Sequence, residues 1–107
     1  MDKSAVLEII SRFRKAIEAR NIKVSRLILF GSYATGEFRE GSDIDLIVIS
    51  DDFAGNDYWQ RIDILSDVVY EIFEPIEVIA MTPDEWNNRE SVMVDYAKEG
   101  EVIYAAA

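Results

Sequence analysis

Asp43 and Asp45 stand one residue apart at the head of an apolar, β-branched run, in the stretch Ser42-Asp43-Ile44-Asp45-Leu46-Ile47-Val48-Ile49. Successive side chains of a strand point to opposite faces, so these two carboxylates share a face with their Cα atoms roughly 6–7 Å apart, within reach of one bound cation. Each raises the other's pKa unless a positive charge lies between them, and a divalent metal is the simplest compensation. Earlier in the chain, Leu27-Ile28-Leu29-Phe30 reads as a strand that stops at Gly31-Ser32. Glycine there allows close backbone approach to a ligand, and Ser32 is expected to cap a short helix whose free N–H groups favour a phosphate. An Asp-x-Asp or a Gly-Ser step alone is commonplace. Together, with ten residues between Ser32 and Asp43 and a strand on each side, they describe a metal beside a phosphate.

Composition narrows the chemistry further. Histidine and cysteine are both absent, which excludes disulfides, thiol nucleophiles, imidazole bases and zinc sites built on them. Acid–base work falls to carboxylates, Lys, Tyr or water. The formal charge is −10, from 21 acidic and 11 basic residues, which argues against a long DNA or RNA substrate. Small nucleotides remain compatible when metal ions supply local positive charge. Arg12, Arg14, Lys15, Arg20, Lys23 and Arg26 gather six of the 11 basic residues, either as a solvated helix face or as a docking surface for an acidic partner. A length of 107 residues predicts a single domain, residues 1–107, with little room for a separate acceptor-binding domain. No apolar run approaches the ~20 residues that cross a bilayer, and no secretory leader is evident, so a cytoplasmic protein is expected.

The elements that position these groups are legible in order. Residues 3 to about 20 carry Val6, Ile9, Ile10, Phe13 and Ile17 at helical spacing, with Asn21 as a stop, and residues 24–30 read as the first strand. After the short Ser32 helix, the glycine-bounded loop 36–41 is expected to be a mobile flap. The second strand, 43–49, is apolar on both faces below its carboxylates and belongs in the centre of a sheet. Asp51 and Asp52 lie beyond it and read as turn formers. Residues 57 to about 73 form a second long helix, opened by an Asp57/Gln60 capping box, with Ile62, Leu65, Val69, Ile72 and Phe73 as its buried stripe. Tyr58 and Trp59 at its first turn are expected to staple it to the core, stacking on a base being the other use of such rings.

Past Pro75, residues 76–80 form the third strand, in which Glu77 is the one charged residue. It either faces the aspartates as a third acidic group or faces water on an edge strand. Thr82-Pro83-Asp84-Glu85 starts a helix that carries Trp86, Met93, Tyr96 and Ala97 and ends with Lys98 before Gly100. Residues 102–104 complete the sheet at an edge. The order predicts an α/β (α+β) sandwich around a small mixed sheet.

Gly31-Ser32-Tyr33-Ala34-Thr35-Gly36 followed by Gly41-Ser42-Asp43-Ile44-Asp45-Leu46 resembles the signature of the DNA polymerase β-type nucleotidyltransferase superfamily, and within it the minimal nucleotidyltransferase (MNT) group. The resemblance implies a polymerase β-like fold and a nucleotidyltransferase using two magnesium ions, or manganese. Asp43 and Asp45 would ligate the metals, Gly31 and Ser32 would bind the β- and γ-phosphates, and Glu77 would complete the acceptor-side metal site. Position 35 is Thr where many of the group have Arg, and Arg39 in the flap is the candidate replacement. The group further implies transfer of AMP from ATP to a hydroxyl of a HEPN-type protein, as the antitoxin of a toxin–antitoxin pair. A different class stays open beside it: a non-catalytic module that masks its partner stoichiometrically, with a vestigial metal site.

Overall fold

The computed structural model describes residues 1–88 and 100–106. Helix α1 (Lys3–Glu18) starts where the Asp2 carboxylate accepts the Ala5 N–H at 2.8 Å, and Asn21, at φ 63°, turns the chain after it. Asparagine tolerates this left-handed conformation better than most residues. Strand β1 (Arg26–Phe30) leads through α2 (Ser32–Thr35) to β2 (Ile44–Ile49), each strand starting inside the expected range. A 3-10 turn (Asp51–Phe53) follows, with Asp52 accepting the Lys23 N–H at 2.7 Å, so Asp51 and Asp52 belong to a turn as expected. Helix α3 (Tyr58–Ile72), strand β3 (Ile76–Met81), helix α4 (Pro83–Asn87) and strand β4 (Glu101–Ala105) complete the order. Both capping boxes read from the sequence are present, Asp57 with Gln60 and Thr82 with Glu85. The positions of Met93, Tyr96, Ala97 and Lys98 lie outside the described residues.

The sheet order is β3-β2-β1-β4. β1 runs antiparallel to both β2 and β4, whereas β2 and β3 are parallel and joined through α3, which gives the mixed α/β sheet expected. β2 is central and its apolar side chains are buried on both faces. One face, with Leu27, Leu29, Ile44, Leu46 and Val48, packs on Val6, Ile10, Phe13 and Ile17 of α1 and Leu65 and Val68 of α3. The other carries Ile28, Phe30, Ile47, Ile49 and Met81, with Trp86 of α4 against it. Phe13 is fully buried; its truncation to Ala would cost about 3–5 kcal/mol.

Three basic residues of α1 and the turn after it are committed to the fold. Arg14 pairs with Glu18 at 2.5 Å and lies over the Tyr104 ring, Arg20 meets Glu71 at 3.0 Å, and Arg12 lies 3.8 Å from Glu74 and donates to the Ile72 carbonyl. Two of these pairs tie α1 to the end of α3. No described helix is long and apolar enough to cross a membrane.

Candidate active site

β1 runs antiparallel to β2, and β2 parallel to β3, so the end of β1 and the starts of β2 and β3 meet at one edge of the sheet. There Asp45 is opposite Phe30 on one side and in register with Glu77 on the other. Alternation along the strands puts all three on one face, with Ile47 and Ile49 continuing below Asp45. Glu77 therefore satisfies both expectations at once. It is exposed and on an edge strand, yet close enough to Asp45 for a proton to bridge the two carboxyls. Asp43 precedes β2 by one residue and is exposed. Burial, then the hydrogen bond and charge of Glu77, then the charge of Asp43 push the Asp45 carboxyl up to about 6. A carboxyl so placed has acidic neighbours and, among the described residues, no cation beside it.

Gly31 closes the other side. Its φ of 73° is a conformation that side chains rarely adopt, and a Cβ built there would overlap a carboxylate oxygen of Asp45. The backbone thus lies directly against the acidic group, which no larger residue permits. Gly31, not Ser32, is the N-cap of α2. Its carbonyl accepts from Ala34 and Thr35 at 3.1 and 3.2 Å, so Ser32 is the first helical residue and makes no capping bond. The positive φ needed for the close approach also sets where the helix begins, and moves the cap one residue earlier. The first N–H groups of the helix, at Ser32 and Tyr33, are without intrahelical partners.

Arg39 is not brought to the carboxylates by any hydrogen bond or ion pair among the described residues. Its backbone N–H donates to Ser42 Oγ at 2.8 Å, and the loop around it is tied to α2 by Phe38 stacked on Tyr33 at 4.7 Å. The Thr35 hydroxyl donates back to the Ser32 carbonyl at 3.4 Å. No three acidic side chains among the described residues enclose a common metal position. The adjoining Asp45 and Glu77, with Asp43 beside them, are an all-oxygen donor set of the kind a hard divalent cation takes, provided phosphate and water supply further ligands.

A groove of about 930 Å³ opens from Asp45 and Glu77 along β3, walled by Ile62, Ser66, Val69 and Tyr70 of α3. These residues were not singled out as part of a site. Trp59, Ile62, Ser66, Val69 and Phe73 follow one another at spacings of three and four, so α3 carries a second stripe besides the buried one. Trp59 is 70% exposed and Phe73 85% exposed, which corrects two expectations. The first-turn rings pack edge to face on each other, 5.1 Å apart, and not on the core. Phe73 adopts the left-handed cap conformation, φ 58°, which carries it off the buried stripe. Leu65 and Val68 are the buried residues of α3.

The family model described as "Nucleotidyltransferase domain" matches residues 10–98. "Putative protein adenylyltransferase MJ1379" of Methanocaldococcus jannaschii is 33% identical over 104 residues, 94% of this chain and 95% of that one. Its paralogue of the same description, MJ0604, is 29% identical over 105 residues, 96% and 98% of the two chains. A third, MJ0141, matches 45 residues at 44% identity, so the chain spans only 46% of that relative and 41% of its own length is involved. Among solved structures, a protein of Sulfolobus solfataricus described as a "putative nucleotidyltransferase" superposes with a TM-score of 0.74 at 15% identity, over 96% of this chain and 83% of that one. A chain from the complex of the tri-AMPylated Shewanella oneidensis HEPN toxin with its MNT antitoxin superposes with a TM-score of 0.57 at 18% identity, covering 97% and 73%. These two likenesses bear on the fold, which is that of the polymerase β-like nucleotidyltransferases.

Proposed function

The chain belongs to the nucleotidyltransferase domain family and is a nucleotidyltransferase of its minimal, MNT type, and from that premise we propose that it transfers AMP from ATP to a hydroxyl of a partner protein in the cytoplasm. The partner class is a HEPN-type toxin, with this chain, acting as one domain, as its antitoxin. The relatives described as protein adenylyltransferases support the reaction, and the MNT–HEPN complex of like fold supports the partner. The observation that carries the reading is the Asp45–Glu77 register with Gly31 against it.

Asp43, Asp45 and Glu77 would hold divalent metal, which members of the family usually use, magnesium or manganese in a two-ion arrangement. When bound, the metal neutralises charge on the phosphates and makes the acceptor hydroxyl easier to deprotonate. Gly31 and Ser32 hold the β- and γ-phosphates against the backbone at the head of α2, and Arg39 adds a cation from the loop when ATP draws it in. The acceptor oxygen attacks the α-phosphorus. A new O–P bond forms as the bond from that phosphorus to the α–β bridging oxygen breaks, pyrophosphate leaves with the electron pair, and the hydroxyl proton passes to Glu77. No covalent enzyme intermediate is needed.

The test is isothermal titration of ATP, with and without magnesium, into wild type and Asp43→Asn/Asp45→Asn, followed by transfer of labelled AMP to the co-purified partner. Metal-dependent binding and transfer, both lost in the double variant, are expected. A second reading, a module that masks its partner without catalysis, is favoured by the absence of a closed three-carboxylate group among the described residues. A stable complex with a folded wild type that binds no ATP would establish that reading instead.

A further inference from the structure

β3 is the outer strand of the sheet, six residues of mostly apolar sequence. Ile44 N–H donates to the Pro75 carbonyl at 2.7 Å and Ser50 N–H to the Met81 carbonyl at 3.0 Å, at the two ends of the register that pairs Ile44 with Ile76 and Ile49 with Met81. In a parallel ladder with that phase, residues 77, 79 and 81 direct their backbone groups to β2, and residues 76, 78 and 80 direct theirs outward. Ile76 N–H donates to the Glu74 carbonyl, and the Ala80 carbonyl accepts from Arg61 at 3.5 Å. The Val78 N–H and carbonyl and the Ala80 N–H have no partner among the described residues. An apolar edge left in this state is a template for another strand.

The groove beside this edge has two adjoining parts. Ile62, Leu65, Val78 and Ile79 line both the 930 Å³ part beside Asp45 and Glu77 and a further 480 Å³ that runs toward Arg61 and Glu85. We propose that it receives an extended, basic segment of the protein acceptor, which joins the sheet outside β3 and presents its hydroxyl residue beside Glu77. This rests on the transferase reading and specifies the form in which the acceptor enters. Strands lie about 4.7–4.9 Å apart, so the row Phe30, Asp45, Glu77 continues into a partner residue roughly 5 Å from Glu77 on the same face. Neighbouring side chains of the segment, on the opposite face, meet Ile62, Val69 and Tyr70.

Charge selects the occupant. Asp63 and Asp67 are exposed on α3 with no ion pair among the described residues, Glu77 and Asp45 lie at one end, and the lining cation Arg61 is bound to Glu85 at 2.6 Å. A second copy pairing edge to edge would set these acids against their own kind, with a net charge of −10 on each chain. A basic segment complements them.

The probe is an array of nine-residue peptides with a central Tyr, Ser or Thr and randomised flanks, incubated with the full chain, magnesium and ATP labelled at the α-phosphate. Labelling is expected to concentrate on peptides with Lys or Arg flanks, and to fall at least tenfold when proline replaces either neighbour of the hydroxyl residue. Val69→Lys and Val78→Pro should each lower labelling at least tenfold while ATP affinity stays within twofold of wild type; the Val78 N–H faces outward, so proline there spares the β2 ladder. Labelling indifferent to proline, or unchanged in both folded variants, overturns the proposal. So does a chain that binds ATP with metal but labels no peptide, a result that leaves the nucleotide site standing. Failure to bind ATP at all would instead remove the transferase reading, and this one with it. A dimer in light scattering that Val78→Pro dissociates would assign the edge to a second copy and overturn the proposal.

Discussion

Two acidic groups lie near the opposite ends of β3. At the far end Glu85 meets Arg61 at 2.6 Å, and the same guanidinium donates to the carbonyls of Phe53 and Asn56 at 2.9 and 3.1 Å. Burial works against the Glu85 charge, but Arg61 and the Thr82 backbone outweigh it and hold the carboxyl below its usual range. At the near end Asp45 is likewise set into the structure, yet its neighbours are Glu77 and Asp43, and burial followed by these two acids drives its carboxyl up to about 6. Among the described residues an arginine meets the first carboxylate and none meets the second. A charge that serves the fold is neutralised within the fold. One surrounded by its own sign is comfortable only when a cation arrives from outside.

The largest expected contrast is between substitutions at the two ends. Asp45→Asn should lower AMP transfer by on the order of 10²–10³-fold, the scale of losing one essential electrostatic group, while thermal unfolding of the metal-free variant occurs at the same temperature as wild type or higher. Arg61→Met should do the reverse. It leaves Glu85 unpaired and two or more carbonyls without their donor, a loss of about 2–3 kcal/mol, with metal-dependent ATP affinity per folded molecule close to wild type. Calorimetry and a transfer assay on both variants measure the pair. An Asp45→Asn variant that unfolded early, or an Arg61→Met variant that kept its stability, would erase the distinction.

What the sequence made legible divides along the same line. The Asp-x-Asp strand, the Gly31 step and both capping boxes follow from local rules, and each recurs in the fold. The position of Glu77 did not follow, because a strand's place in a sheet depends on pairing between distant segments. Register with Asp45 and exposure at an edge looked like alternatives, and the β3-β2-β1-β4 order made them compatible. The groove wall was hidden for a related reason. Ile62 and Val69 have the spacing of a buried stripe, and only the packing of α3 on α1 through Leu65 and Val68 shows that they wall the groove at the open edge. Ser32 was misplaced as the cap because the close approach at Gly31 that moved the helix start is a tertiary fact.

Metal binding gives an intermediate effect. Asp45 must lose its proton to ligate a cation, and with a carboxyl at about 6 it is mostly protonated at pH 5. Affinity for magnesium or manganese should therefore be about tenfold weaker at pH 5 than at pH 7. Titration calorimetry would also register a proton released on binding, through the dependence of the apparent enthalpy on buffer. Affinity that is flat over this range would mean that Asp45 is not the ligand whose ionisation limits binding.

The smallest effect discriminates most directly between the two carboxyls. Asp45 is raised from 3.8 to about 6 in the fold, so it favours the folded state below pH 3.8 and loses that contribution as pH rises through 6. Glu85 is lowered from 4.5, so its contribution is present above that value and is lost as pH falls. In chelator, the difference in unfolding temperature between Asp45→Asn and wild type should grow more positive from pH 4 to pH 7, by a few degrees at most since Asp45 is partly exposed. The difference between Glu85→Gln and wild type should grow more negative over the same interval. Adding magnesium at pH 7 should shrink the first difference and leave the second untouched, because among the described residues Glu85 has its cation and Asp45 has none.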